Sequence, residues 1–281
     1  CGKSMTAMSL IRLVRPPGRI LNGRVLLKDR DLLTLSESQM QKIRGAEISM
    51  VFQDPMTFLN PLMRVGDQIA EAVRIHQGVQ QKEGWEKAME ALCRVRIPAP
   101  ENVIQYYPHQ LSGGMRQRIL IAIAISCHPA LLIADEPTTA LDVTIQAQIM
   151  ELLSNLRKEL NSALLLITHD LGLVAEYCDR VYVMYAGHIV EETDVYSLFK
   201  SPKHPYTVAL LKSCMSIDHR YDIFESIEGQ PPNLVAPPAG CRFHPRCPNV
   251  FDRCHQQDPA MVCLEDGRWI RCWLHEAVEA V

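Results

Sequence analysis

The sequence of 281 residues has few aromatic side chains, little net charge and no long uninterrupted hydrophobic run. Its formal net charge is −3, whereas domains that bind nucleic acid usually carry a basic excess. The longest apolar stretch, "ILIAIAISCHPALLIA", contains His128 and Pro129 and is shorter than the ~20 apolar residues that cross a bilayer. Residues 1–14 also lack the pattern of a secretory signal peptide. We therefore expect neither a nucleic-acid-binding protein nor a membrane-spanning helix.

Hydrophobic residues make up 47% of the chain and charged residues 22%, as in a globular protein with a sizeable core. Three short apolar runs, in "EISMVFQDP", "ALLIADEP" and "SALLLITHD", have the composition of buried strands. Helical segments separate them, and this alternation predicts an α/β fold with a mostly parallel sheet covered on both faces. The helical block at 57–108 is expected to be an insertion in that sheet. "RVYVMYAGHIVEE" is expected to form a hairpin that turns at Ala186-Gly187.

The first residues, "CGKS", match the last positions of the phosphate-loop pattern G-x-x-x-x-G-K-[ST]. In such a loop the backbone N–H groups at a helix N-terminus surround the phosphates. Lys3 would reach the β- and γ-phosphates, and Ser4 would ligate Mg²⁺. Three common residues that happen to be adjacent explain Gly2-Lys3-Ser4 equally well, so this tripeptide does not identify a nucleotide site alone.

"LLIADEP" places two acidic residues at the C-terminal end of a predicted buried strand, where α/β sheets bind ligands. Asp135 can hold Mg²⁺ directly or through water, and Glu136 can orient or deprotonate an attacking water. The alternative is a strand end that meets an acidic helix cap, which is a common arrangement.

"LSGGMRQ" is a more specific pattern. Ser112, Gly113 and Gly114 precede an apolar helix, so N–H groups at the positive end of that helix are available to an anion. The alternative, a flexible turn before a helix, does not require the serine, both glycines and Gln117 together.

Six motifs, and their order along the chain, resemble those of the ATP-binding subunits of ABC transporters. That family has a P-loop NTPase fold. "CGKS" is similar to the end of Walker A, "VFQDP" to the Q-loop, "LSGGMRQ" to the signature, "LLIADEP" to Walker B, "ALD" to the D-loop and "ITHD" to the switch histidine. The resemblance extends from Cys1 to about Glu192 and implies a protein that binds and hydrolyses ATP with Mg²⁺. The earlier glycines of the loop would lie upstream of Cys1, so we expect the isolated chain to bind ATP poorly.

The resemblance implies a role for each matching residue. Glu136 would act as the catalytic base, Gln53 would sense the metal and the attacking water, and His169 would contact the γ-phosphate. Mg²⁺ would be held by Ser4, Gln53 and Asp135. In this family the signature serine and glycines close over ATP bound to the opposite ATPase subunit, so hydrolysis requires a dimer. The implied nucleotide-binding residues are Gly2, Lys3, Ser4, Gln53, Ser112, Gly113, Gly114, Gln117, Asp135 and Asp142.

Longer stretches, including "YPHQLSGGMRQRILIAIAI" and "HPYT" (204–207), resemble the branch that imports dipeptides, oligopeptides and nickel, above all its dipeptide/oligopeptide ATPase subunits. This implies an ATPase domain at 1–198, a helical subdomain at about 55–127 and a C-terminal extension at 199–281. It also implies a peripheral position on the cytoplasmic face of the membrane. The implied partners are a second, similar ATPase subunit, two transmembrane permease subunits and an extracytoplasmic peptide-binding protein. Nickel import and a non-transport ABC ATPase are the alternatives.

The last five of the ten cysteines follow the proline- and glycine-rich segment 228–240. Cys241, Cys247, Cys254 and Cys272 lack the short pairs typical of structural zinc sites, and a reducing cytoplasm disfavours disulfides. From the spacing alone, an iron–sulfur cluster, zinc and unmetallated thiols all remain open. The family resemblance extends to "GCRFHPRCPNVFDRC" and implies a small Cys-rich extension that holds a [4Fe-4S] cluster on these four residues. Zinc is the alternative metal, and Cys263 falls outside the pattern.

Overall fold

The computed structural model describes residues 2–214 and 227–275, so Cys1 lies outside the described residues. The described chain forms two compact units. Ser4–His169 is the first, and the second begins at Asp170 and includes Gly2 and Lys3. Within the two described ranges, every helix is too short or too polar to cross a bilayer.

A three-stranded parallel sheet is the centre of the first unit. In chain order, the elements before Asp170 are α1 (Lys3–Leu10), β1 (Leu26–Leu27), β2 (Arg30–Asp31), α2 (Glu37–Ile43), β3 (Ile48–Val51), α3 (Pro55–Phe58), α4 (Val65–Gln77), α5 (Gln81–Arg94), α6 (Pro100–Val103), α7 (Gly113–Ile125), β4 (Leu131–Asp135), α8 (Val143–Glu159) and β5 (Ala163–Ile167). The sheet order is β3–β4–β5, and both pairings are parallel. The alternation of strands and helices in the sequence therefore predicted the sheet correctly.

Strand β4 lies in the middle of this sheet, and Leu132, Ile133 and Ala134 on it are buried. A central parallel strand is covered on both faces, which explains its continuous apolar run. Helices α1 and α2 supply part of the cover. Their contacts with the strands form a core cluster that includes Ala7, Ile11, Met40, Ile43, Ile48, Ile133 and Ile167.

The helices α3 to α7 all lie between β3 and β4 in the chain, where the sequence predicts a helical insertion. Helix α4 packs against α5, and both contact α7. Helix α7 is buried on nearly all sides from Ile119 to Ile125, so it is apolar all round rather than amphipathic. That this block forms a separate subdomain at about 55–127 stays a prediction.

Helix α1 is shorter than the sequence predicts. The pattern favours a helix over 3–14 that is stopped by Pro16, whereas α1 ends at Leu10. Arg12 follows with a φ of 53°, a left-handed conformation that cannot continue a right-handed helix. Its guanidinium donates to the carbonyl oxygens of Leu32 and Leu35. The helix therefore ends where Arg12 makes these tertiary contacts. No local sequence signal predicts this helix end.

The second unit contains an antiparallel sheet of four strands. Its elements are α9 (Leu171–Tyr177), β6 (Arg180–Tyr185), β7 (His188–Asp194), α10 (Val195–Lys200), α11 (Pro205–Cys214), α12 (Asp252–Gln256), β8 (Val262–Cys263) and β9 (Trp269–Ile270). The strand order is β6–β7–β9–β8, and β6 and β7 form the predicted hairpin around Ala186-Gly187. Strands β8 and β9, which belong to the cysteine-rich segment, thus extend the sheet that this hairpin begins. The domain boundary at residue 198 stays a prediction.

The buried carboxylate of Glu191 on β7 forms hydrogen bonds to the start of the "HPYT" segment. The Glu191 side chain has no exposed surface and accepts hydrogen bonds from the backbone N–H groups of Lys203 and His204, both at 2.9 Å. Burial, followed by the nearby charge of His275, lowers the pKa of His204 to about 4, so its ring is neutral at neutral pH. The start of α11 is therefore held against β7 by groups in the interior.

Candidate functional site

The last residue of β4, Asp135, carries a carboxylate that is only 5% exposed. The Ser4 hydroxyl donates a hydrogen bond to its Oδ1 atom at 3.2 Å. A hydroxyl and a carboxylate are both hard oxygen ligands, the kind that Mg²⁺ prefers. The structure therefore brings together two of the three residues expected to hold the metal.

Glu136 follows directly and has an unusual backbone conformation. Its φ is 47°, in the left-handed region that costs a non-glycine residue about 1–3 kcal/mol. Its N–H donates to the carbonyl oxygen of Ile167 at 2.9 Å, which continues the pairing of β4 with β5 beyond the strand end. This backbone bond fixes the direction in which the Glu136 side chain leaves the sheet.

Three side chains contact the Glu136 carboxylate. Gln53 Nε2 donates to Oε2 at 3.1 Å, and Thr139 Oγ1 donates to the same oxygen at 2.9 Å. His169 Nδ1 lies 3.4 Å from Oε1, which is an ion pair when the imidazole is protonated. The structure therefore brings together the three residues expected to act in catalysis, Glu136, Gln53 and His169. Gln53 contacts the Glu136 carboxylate here, while the catalytic roles of these residues and the expected contact of Gln53 with Mg²⁺ stay predictions.

The strands explain this convergence. Gln53 follows β3, Glu136 follows β4, and His169 follows β5. Because the carboxyl ends of parallel strands lie at one edge of the sheet, residues far apart in sequence meet there.

The signature motif forms the N-terminus of α7. Ser112 is its N-cap, and its Oγ accepts a hydrogen bond from the N–H of Met115 at 3.3 Å. A β-carbon on Gly114 would lie 2.9 Å from Ile145 Cγ2, so a larger residue would require Ile145 to move at this close approach between α7 and α8. Gly113 has more space, and its nearest neighbour is the Leu141 side chain.

Asp142 and Gln117, which are also expected to bind nucleotide, lie in different local environments. Asp142 is the N-cap of α8, and its Oδ1 accepts from the N–H of Ile145 at 2.9 Å. Gln117 is 1% exposed, and its Nε2 has no hydrogen-bond partner among the residues that the structure describes. Nucleotide contacts for Asp142 and Gln117 stay predictions.

Gly2 and Lys3 belong to the second unit. Gly2 has a φ of 105°, a conformation that favours glycine, and Lys3 is the first residue of α1. A β-carbon on Gly2 would lie 3.5 Å from the Cα of Gly187, so the backbone at Gly2 is close to the turn of the β6–β7 hairpin.

Comparison with known proteins accounts for these motifs together. A model of the ABC transporter family matches residues 1–139, and a model described as the oligopeptide/dipeptide transporter C-terminal region matches residues 190–254. The oligopeptide transport ATP-binding protein AppD of Bacillus subtilis is 49% identical over 276 residues, which cover 98% of this chain and 84% of AppD. The chain belongs to the ABC transporter ATPases of the oligopeptide/dipeptide family.

Other relatives agree with this assignment. The dipeptide transport ATP-binding protein DppD of Escherichia coli is 48% identical over 271 residues, which cover 96% of this chain and 83% of DppD. The dimeric ATP-binding cassette MJ0796, solved in a post-hydrolysis state with ADP and Pi, superposes with a TM-score of 0.60 at 28% identity, covering 69% of this chain and 81% of its own. For cbiO1 of Clostridium perfringens, part of the transporter complex cbiONQ, the TM-score is 0.61 at 28% identity. The match covers 76% of this chain and 79% of cbiO1. This chain therefore has the P-loop ABC ATPase fold, hydrolyses ATP as a transporter subunit, and uses ATP and Mg²⁺.

Thr139 is a residue of this ATPase that the sequence motifs did not single out. It lies three positions after Glu136, and its N–H also donates to the Glu136 carbonyl oxygen at 3.2 Å, which closes a tight turn. A hydroxyl residue three positions after an acidic residue in a turn could have pointed to this contact. That pattern, however, is common in turns of no special function.

The four expected cluster cysteines lie near one another, and all are free thiols. Burial, together with the smaller effects of the neighbouring Cys241, Cys247 and Cys254 thiols, raises the pKa of Cys272 to about 11. Burial also raises the pKa of Cys241 and of Cys247. Within residues 2–214 and 227–275, however, no three His, Cys, Asp or Glu side chains are arranged so that they could hold a metal ion. The thiols therefore approach one another without forming a closed metal site.

We expect Thr139→Val to lower the turnover number for ATP hydrolysis about tenfold, because a hydrogen bond to a charged group contributes about 1.5–3 kcal/mol. Thr139→Ser keeps the hydroxyl and should stay close to the unchanged enzyme. Steady-state ATPase assays check this, with Thr144→Val on the exposed face of α8 as the matched control. An unchanged turnover number in Thr139→Val would show that Glu136 does not need this contact.

Proposed function

We propose that this chain is the ATP-hydrolysing subunit that energises the import of dipeptides and oligopeptides across the cytoplasmic membrane. The observation that supports this most is the set of contacts around Glu136, in a chain whose C-terminal region matches the oligopeptide/dipeptide transporter family. The names of AppD and DppD, which specify oligopeptide and dipeptide transport, point to the same substrates.

In the proposed reaction, Glu136 accepts a proton from the water that attacks the γ-phosphorus of ATP. The bond between this phosphorus and the β–γ bridging oxygen breaks, and ADP and phosphate are the products. Gln53 orients the base and that water, and His169 donates to the γ-phosphate. Lys3 balances the negative charge of the β- and γ-phosphates. The 2.9 Å and 3.1 Å hydrogen bonds to Glu136 Oε2 support this assignment, because they hold the carboxylate in one orientation before substrate arrives.

Mg²⁺ would be held by the Ser4 hydroxyl and the Asp135 carboxylate, with Gln53 as a further ligand. The bound metal supplies charge stabilisation on the phosphates. The Ser4–Asp135 hydrogen bond supports this proposal, because it keeps the two oxygen atoms next to each other.

A second, homologous ATPase subunit would complete each nucleotide site through Ser112, Gly113 and Gly114, in a heterodimer. Ser112 is exposed at the N-terminus of α7, so its surroundings are open to a partner. Two membrane permease subunits would contact the segment after Gln53. The exposed side chains of Met56 (56%) and Leu62 (86%) give that segment an apolar surface suited to such a contact.

The remaining organisation follows from this assignment. The chain would lie on the cytoplasmic face of the membrane and serve an extracytoplasmic peptide-binding protein through the permeases. Its ATPase domain would comprise residues 1–198, with the helical subdomain at about 55–127, and its extension residues 199–281.

The cysteine-rich extension would hold a metal through Cys241, Cys247, Cys254 and Cys272, as a [4Fe-4S] cluster, with zinc as the alternative. The mutual effect of these thiols on their pKa values supports the choice of residues. Four thiols are a donor set that suits either metal. Because the described thiols do not form a closed site, small movements of the 241–254 loop would accompany metal binding.

Glu136→Gln should abolish ATP turnover while ATP stays bound, because the amide cannot accept the proton from water. The measurement is phosphate release together with retention of labelled ATP by the complete transporter. Glu71→Gln, on the exposed face of α4, serves as the control and should hydrolyse ATP normally. Normal phosphate release from Glu136→Gln would refute the assigned base.

Cys247→Ser should lose most of the bound metal, whereas Cys263→Ser, at an exposed cysteine outside the group of four, should retain it. Iron, zinc and acid-labile sulfide are measured on anaerobically purified protein. Iron and sulfide in equal amounts support the cluster, whereas zinc without sulfide supports the alternative. Metal-free protein, or equal metal content in both variants, contradicts the metal site.

A further inference from the structure

Three consecutive residues, Cys241, Arg242 and Phe243, connect the group of four thiols to the β6–β7 hairpin. Phe243 is 1% exposed and packs edge-on against Tyr185, with ring centroids 5.1 Å apart. Arg242 reaches the turn of the hairpin, where its Nη1 donates to the carbonyl oxygen of Ala186. Phe243 therefore anchors the segment in the core, and the preceding residue, Arg242, is hydrogen-bonded to the turn.

We infer that Arg242 is a positioning residue for nucleotide binding, because it holds the Ala186-Gly187 turn against the phosphate-loop glycine Gly2. This inference rests on the assignment of Gly2, Lys3 and Ser4 to the phosphate loop.

The backbone conformation of the Ala186-Gly187 turn is unfavourable for alanine. Ala186 and Gly187 are its two central residues, and both have positive φ values, 47° and 82°. This combination suits the twist of a two-residue hairpin, but alanine adopts it far less readily than glycine. A charged donor on the Ala186 carbonyl stabilises the peptide orientation that the turn requires.

The same turn lies close to Gly2. A β-carbon on Gly2 would lie 3.5 Å from the Cα of Gly187 and 3.6 Å from Met184 Sδ. Gly2 is thus a close neighbour of the hairpin, and Lys3 follows it directly. Because a phosphate loop binds through backbone N–H groups, a shift of the turn changes the direction of these donors.

A second contact from the cysteine-rich segment holds strand β7 just after the turn. The Arg271 N–H donates to the carbonyl oxygen of Val190 at 2.9 Å, next to the pairing of β9 with β7. Asp258 Oδ2 lies 3.3 Å from Arg271 Nη1 and so pairs with the residue that makes this bond. The distance from Asp258 Oδ2 to His188 Nδ1 is 3.6 Å, longer than a hydrogen bond. The cysteine-rich segment therefore holds the turn at Ala186 and strand β7 at Val190.

The expected consequence is a loss of ATP affinity without a loss of chemistry, since the turn supports the loop that binds phosphate and Glu136 performs hydrolysis. Arg242→Met keeps the length of the side chain and removes its donors. In the complete ATPase subunit assembled with its partners, it should raise the Kd and KM for ATP about tenfold and leave kcat within about twofold. Arg242→Lys keeps a charged donor and should restore most of the affinity.

Arg268→Met is the matched control, because Arg268 lies in the same segment and donates to the carbonyl oxygen of Ser201 at 2.6 Å, away from the turn. It should bind ATP normally. Asp258→Asn tests the second contact and should also raise the Kd, which keeps the inference testable if Arg242→Met fails to fold.

An unchanged Kd in folded Arg242→Met, an equal fall in kcat and affinity, or the same loss in Arg268→Met would overturn the inference. Failure of the proposed base is recognised separately, because Glu136→Gln would then hydrolyse ATP whatever the Kd of the Arg242 variants.

Discussion

Strand β4 pairs in parallel with β3 on one side and β5 on the other, with Val51 opposite Ala134 and Asp135 opposite Ile167. These pairings align the carboxyl ends of the three strands at one edge of the sheet. The residues that follow the strands, Gln53, Glu136 and His169, then meet without any contribution from their own local sequence. A change in the register of β4 by one residue would reverse the direction of Asp135 and separate it from Ser4.

Local strain and hydrogen bonding refine the arrangement that the sheet makes. The left-handed backbone of Glu136 is retained because its N–H bonds to Ile167, while its carboxylate is held by Gln53 and Thr139. Strained residues persist where the surroundings over-determine them, and catalytic groups are a common place for this. The orientation of the Glu136 carboxylate is thus a property of the folded protein before ATP binds.

The sequence predicts the parallel sheet, the hairpin and the convergence of Gln53, Glu136 and His169, because each depends on hydrophobic periodicity or on a motif with a fixed order. It does not predict the end of α1 at Leu10, which coincides with the contacts that Arg12 makes with Leu32 and Leu35. It also misses Thr139, whose role depends on the direction of the Glu136 side chain. The pairing of β9 with β7 is missed because two residues give too weak a local signal. The Arg12 and β9 contacts are long-range, and the Thr139 contact depends on the backbone conformation of Glu136, which the sequence pattern does not specify.

The claim that this ATPase drives peptide import is tested most directly by uptake into proteoliposomes. The vesicles contain the complete transporter and are supplied with its solute-binding protein, ATP and a labelled dipeptide or nickel. The account predicts dipeptide uptake that requires ATP and stops when a non-hydrolysable analogue replaces it. ATP-dependent nickel uptake with no uptake of any dipeptide or oligopeptide would contradict it.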